Sequence, residues 1–214
     1  MTTEELFDLI VADGPALREE TPRALLLRAA IRHLLRDDES SIRVLQMSRE
    51  IGMSASVIYS NFGSRQGLVD AAYLEIYRSV TSASRANLAE LAGRVRTRED
   101  LAARWASGSE APEYQRRQAL RRRVRMQVLG KTLTRRRLAE KVFVERRTYQ
   151  TELTDYFQSL VDAGVLRSPL SARQLAAFHI GLHLVRAVDD VSGDPLTNDE
   201  WTMVKRVVFG LETD

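Results

Sequence analysis

Apolar residues recur at spacings of three and four along almost the entire chain, and nowhere is an alternation of period two sustained. That pattern gathers buried side chains on one stripe of a helix and leaves no half-buried strand from which to build a sheet. The punctuation agrees. Thr21 stands where it can cap a helix whose first residue is Pro22, a position at which the missing N–H costs nothing. The stripe Leu25, Leu26, Ala29, Ala30, Leu34, Leu35 follows, and Asp37–Ser41 closes it. A short helix is expected from about Ile42 to Ile51, stopped by Gly52, and a second from Ser54 to Phe62. Ser64 opens a long helix carrying Leu68, Ala71, Ala72, Ile76 and Val80, to about Ala92. Further on, Thr97–Asp100, Ser171–Gln174 and Thr197–Glu200 have the spacing of capping boxes, in which two side chains satisfy each other's backbone N–H groups. SGSEAP at 107–112 reads as a break before an Arg-rich helix ending near Gly130. Leu138 to Leu160 carries the stripe of a long helix terminated by Gly164. The expected fold is all-α.

Composition narrows the chemistry. The chain has 214 residues, enough for one large domain or one plus a small one, and no Cys. Disulfides, thiol catalysis and Cys-based metal sites are therefore excluded. Its three His are His33, His179 and His183. His179 and His183 share a helix face, but no Glu follows the first and no third ligand is evident, so no metal and no cofactor are expected. His33, with no partner at metal spacing, reads as a surface residue. The opening MTTEELFDLIVADG is acidic and broken by Asp8, unlike a signal peptide, and no apolar run reaches membrane-spanning length; the expectation is a cytoplasmic chain without membrane association. Nothing resembles a nucleophile motif or a phosphate-cradling Gly loop, so enzymatic activity is not expected.

Net charge is +3, unevenly spread. Residues 1–20 hold six acids against Arg18, whereas Tyr114 to Ala139 holds ten basic residues and no acid. Of the 32 basic residues three are Lys, leaving 29 Arg. The Arg-rich segment 116–137 has three readings: counter-charge for an anionic ligand, attraction for nucleic acid, or a solvated face.

The segment from Ile42 to Leu68 stands apart. Two short helices joined by Gly52-Met53-Ser54 fit a helix-turn-helix: Gly52 permits the sharp turn, Met53 plugs the angle and Ser54 caps the second helix. The second helix leaves Ala55, Ser56, Tyr59, Ser60 and Asn61 outward, small or hydrogen-bonding side chains that let a helix lie deep in a major groove. On spacing alone, the same residues also describe an ordinary helical hairpin that makes only protein contacts.

The run Met47-Ser48, Ile51-Gly52-Met53-Ser54, Ile58-Tyr59-Ser60-Asn61-Phe62-Gly63-Ser64-Arg65, closed by Leu68, resembles the DNA-binding domain of the tetracycline-repressor (TetR) family of bacterial transcription regulators. The likeness covers about Thr21 to Tyr77, and the remainder agrees in outline. It implies a three-helix helix-turn-helix domain over 21–68 and a helical ligand-binding and dimerisation domain over 69–214; residues 1–20 depart from the pattern, an acidic extension standing where family members often carry a short basic arm. It also implies a repressor that binds a palindromic operator in double-stranded DNA as a homodimer and is released by a small-molecule effector. Tyr59 matches the family's phosphate-contacting tyrosine. Arg65 stands where a Lys is usual, at a helix start that favours phosphate, and Arg43 replaces the usual Thr or Ser. Ser54, Ala55, Ser56, Val57, Ser60 and Asn61 occupy positions that approach bases or backbone. With no Arg, Lys or Gln on the recognition helix, readout falls to Ser56, Asn61, thymine-methyl contacts and DNA shape. The implied ligand pocket draws on Trp105, Met126, Tyr149, Tyr156, Phe157, Phe178 and His179, all equally at home in a core. The implied dimer seam uses Leu175, Leu182, Val185, Trp201, Val204, Val208 and Leu211 from the last two helices. The acidic start of the chain, with Leu6, Phe7, Ile10 and Val11, is expected to form an extra helix that packs on its own domain or on the partner and stays out of the minor groove.

Overall fold

The computed structural model describes residues 2–211, with side chains described for all of these but 105–110. Among the described residues the chain forms ten α-helices and no strand: α1 Thr3–Asp13, α2 Pro22–Arg36, α3 Val44–Glu50, α4 Ala55–Phe62, α5 Arg65–Arg94, α6 Arg98–Glu110, α7 Pro112–Thr132, α8 Arg136–Asp162, α9 Ala172–Asp189 and α10 Asn198–Val208. The caps form where they are written. Thr21 accepts from the Ala24 N–H, and reciprocal capping boxes close at Thr97–Asp100, Ser171–Gln174 and Thr197–Glu200. A fourth, Thr2–Glu5, opens α1. At 107–112 the structure differs from expectation: α6 runs on to Glu110 and only Ala111 interrupts it. A single Gly inside a helix costs only about 1 kcal/mol, which propagation absorbs. The stop comes from Pro112, which forces Ala111 into extended backbone (ψ 109°).

The chain divides into two compact units, one comprising 1–83 and 127–144, the other 84–126 and 145–214; α5, α7 and α8 contribute residues to both. In the first unit α1 packs on α2, burying Leu6, Phe7 and Ile10. Arg32 lies over the Phe7 ring at 4.1 Å and reaches Glu4 at 2.9 Å, so the acidic start of the chain is held by its own domain. His33 is not on the surface. It is 6% exposed, with Nε2 at 2.9 Å from Glu50 Oε2. It continues the stripe of Leu26 and Ala30 at spacings of four and three, a face that the rest of the unit covers.

In the second unit the core gathers Leu101 of α6, Tyr149, Leu153, Phe157 and Leu160 of α8, Leu175 and Ile180 of α9, and Phe209 beyond α10. Gly164 terminates α8 at φ 71°, the left-handed conformation that glycine adopts without strain. No helix of the described residues is long and apolar enough to cross a membrane.

Candidate nucleic-acid interface and ligand cavity

In the first unit α3 and α4 meet through a turn at Gly52, whose φ is 67°. Met47 and Ile58 are fully buried and hold the two helices together, while Met53 N–H donates to Ser48 O at 2.9 Å across the turn. Ser54 sits at the N-cap of α4, but its hydroxyl pairs with Ser56 Oγ at 2.7 Å instead of a backbone N–H. Ser56, Tyr59, Ser60 and Asn61 are exposed, Tyr59 to 50%; Ala55 and Val57 are half-buried. The exposed face of α4 thus presents hydroxyls, an amide and methyl groups, and no acid. Arg43 stands exposed at the N-cap of α3.

Arg65, expected as a phosphate ligand, also makes hydrogen bonds within the fold. Its Nε donates to Ile42 O at 2.7 Å and its Nη2 to Glu39 O, so the guanidinium clamps the lead-in of α3 to the first turn of α5. Arg23 does the same for the end of α4, donating to Asn61 O at 3.2 Å and lying over the Phe62 ring at 4.6 Å. Gly67 brings α5 against α4 so closely that a Cβ there would stand 2.0 Å from the Phe62 carbonyl oxygen. Because that neighbour is backbone, it has no rotamer by which to yield. Gly67→Ala is expected to destabilise the chain by roughly 2 kcal/mol in denaturant titration; an unchanged midpoint would show that the contact relaxes freely.

The Arg-rich segment has three fates. Arg116 and Arg117 pair with Glu113 on the surface. Lys131 and Arg135 converge on Glu39, which also accepts from the Tyr73 hydroxyl at 2.9 Å, and Arg135 reaches Asp70 at 3.0 Å. Arg122 and Arg125 turn inward in the second unit, Arg122 forking onto Asp190 at 2.8 and 2.9 Å, Arg125 donating to Ser84 at 2.8 Å.

The second unit contains a cavity of about 170 Å³, partly open to solvent, to which α5, α6, α7, α8, α9 and α10 all contribute. Tyr149, Tyr156, Phe157 and His179 line it. Met126 and Phe178 do not; Phe178 packs toward Phe209 at 6.2 Å between ring centroids. The side chain of Trp105 lies outside the described residues. Of the polar lining, sequence reasoning reached Arg122 only within the basic segment 116–137 and Arg186 only as a continuation of the His179 and His183 face; it did not single out Gln118, Thr202 or Lys205, because no single helix shows more than one or two of these positions. His179 and His183 stack edge-to-face at 5.0 Å. Burial holds the His179 pKa down at about 4, with Lys205 and Arg125 adding to it; burial and His179 push His183 the same way. Among the described residues no group of three or more His, Asp or Glu stands where it could hold a metal ion.

Of the residues assigned to a dimer seam, Leu175, Trp201 and Leu211 are buried in the chain itself. Trp201 donates its indole N–H to Asp189 at 2.9 Å. Leu182 lines the cavity, Val208 packs on the core and Val204 is half-buried. Val185 alone is openly exposed, joined by Val188 on α9 and by Met203 and Val207 on α10. The apolar stripes of these helices are wide enough to cover a core and still leave an outer edge.

No family model matches the chain, and no curated protein matches it. Solved structures do. A TetR-family transcriptional regulator from Rhodococcus sp. superimposes with a TM-score of 0.61 at 17% identity, over 87% of this chain and 97% of that one. A transcriptional regulator from Saccharomonospora viridis in complex with choline gives 0.61 at 19% identity, over 86% and 93%. A TetR-family transcriptional regulator from Mesorhizobium loti gives 0.61 at 14%, over 89% and 96%. The chain has the all-α fold of these regulators, with a helix-turn-helix toward its N-terminus.

Proposed function

We propose that the chain is a TetR-type transcriptional repressor, not an enzyme, which binds a palindromic operator as a homodimer and is released by a small molecule held in the second unit. The observation that carries this reading is the exposed face of α4, free of acid and mounted on α3 by Met47 and Ile58. Ser56 and Asn61 meet base edges, Tyr59 and Arg43 meet phosphate, and Ala55, Val57 and Ser60 close the contact, while Ser54 and Arg65 hold the helix start and its neighbouring loop in register. One such helix reads only a few base pairs, so specificity needs a second copy about 34–36 Å away. Val185, Val188, Met203 and Val207 support a second copy of the chain as that partner, because exposed apolar side chains on adjacent helices suit a twofold seam. Release follows if the effector prefers a conformation whose recognition helices do not fit DNA. Choline, bound by the Saccharomonospora viridis protein, is a poor guest for this cavity, whose lining carries Arg104, Arg122, Arg186 and Lys205. The reading of α4 as a hairpin used only for protein contacts predicts no DNA selection at all. Enriching bound duplexes from a random pool therefore tests the proposal. An inverted repeat with half-sites about one helical turn apart is expected; no enrichment, or a single unrepeated site, would overturn it.

A further inference from the structure

Resting on the reading of the chain as a ligand-responsive regulator, we infer that the cavity takes a small aromatic carboxylate, with Arg186 as its principal counter-charge. Among the described lining residues four are Arg or Lys and none is Asp or Glu. Arg104 has Glu90 at 3.6 Å, and Arg122 has Asp190. Arg186 is placed otherwise. Its hydrogen bonds go to the neutral amides of Gln115 and Asn198, and its guanidinium lies 5.8 Å from the Trp201 ring. Burial holds its pKa down at about 10, with Arg122 adding to the effect and Asp190 and Asp189, neither of them hydrogen-bonded to it, opposing it. Lys205 is held at about 8 by burial, then by Arg186 and Arg122. An anion seated among these cations relieves both the burial cost and the mutual repulsion.

Hydrogen-bonding capacity points the same way. Gln118 Nε2, Tyr156 Oη, His179 Nδ1, Arg186 Nε and Thr202 Oγ1 are buried without a protein partner, and all five residues line this one cavity. Native interiors rarely leave such atoms unmet. Two of the five can only donate and the two hydroxyls can donate, so the complementary guest is rich in acceptors; an ionised carboxylate offers two oxygens and about four lone-pair sites. Size and lining suit a single ring. A dry cavity of about 150 Å³ holds benzene, and this one, partly open to solvent, offers about 170 Å³ with Leu91, Leu153 and Phe157 as apolar walls.

Calorimetric titration of the full chain with benzoate, benzamide and benzylamine tests the assignment. Benzoate is expected to bind, neutral benzamide about tenfold more weakly, and cationic benzylamine not at all. Arg186→Met is expected to weaken benzoate about tenfold and leave benzamide unchanged. Tyr156→Phe and Thr202→Val delete unmet buried hydroxyls, so each keeps or raises the ligand-free melting temperature while weakening benzoate several-fold. Equal affinity for benzoate and benzamide, no benzoate binding at millimolar concentration, or an Arg186→Met protein that folds and binds benzoate normally would each overturn the inference. If Arg186→Met does not fold, unchanged benzoate affinity in both hydroxyl variants overturns it. Failure of benzoate to bind while the chain still selects a palindrome removes the ligand class alone; failure to select DNA removes the regulator and leaves the titration to be judged by itself.

Discussion

Ser56→Glu is expected to lower affinity for the selected operator by more than about a hundredfold, close to 3 kcal/mol, while leaving the melting temperature unchanged or slightly higher. Ser56 is the second residue of α4 and is exposed, so a carboxylate there lies where the helix dipole favours negative charge. The fold therefore tolerates the change. On the proposed reading bound DNA does not, because the same carboxylate would face base edges between two rows of phosphates and shed water without gaining a partner. Tyr59→Phe gives a finer control. It removes one hydroxyl from a half-exposed ring and is expected to weaken binding several-fold for operator and random DNA alike, as loss of a phosphate contact must. Gel-shift titrations at several salt concentrations measure both. If Ser56→Glu binds as wild type, α4 is not the reading helix.

Acidification from pH 6.5 to 4 is expected to cost the second unit about 3 kcal/mol through His179 alone. In the folded chain burial keeps this ring neutral down to about pH 4, whereas in the unfolded chain it protonates near its ordinary value of 6.5. Between those limits the unfolded state carries a proton that the folded state refuses. Stability is therefore present in full above pH 6.5 and is lost as pH falls toward 4. His183 acts in the same direction, with Arg125, Arg122 and Lys205 facing the pair and opposing further positive charge. Urea denaturation across this range should show the slope, and His179→Gln should flatten it. An equally steep profile in the variant would assign the acid sensitivity to other groups.

The helices themselves were legible because the interactions that start and stop them span three or four residues. Thr97, Ser171 and Thr197 cap within their own turn, Gly52 and Gly164 bend the chain where they stand, and Pro112 stops α6 through its immediate neighbour. A position on a helical stripe says that a side chain is covered, and His33 obeys that rule although, with no partner at metal spacing, it read as a surface residue. It does not say by what. Trp201 of α10 and Leu211 just beyond it are covered by their own chain, whereas Val185 of α9 is left open.

Side-chain destinations belong to the tertiary structure. That Arg65 also donates to the carbonyls of Glu39 and Ile42, more than twenty residues earlier, is visible only in the fold. Arg122, Arg186 and Lys205 lie on three different helices, and only folding brings them to one cavity. Local hydrogen bonds and hydrophobic period are properties of neighbouring residues, so a linear sequence contains them. Charge clusters, orphaned donors and cavity size depend on distances between residues far apart in the chain, which exist only once the helices have packed.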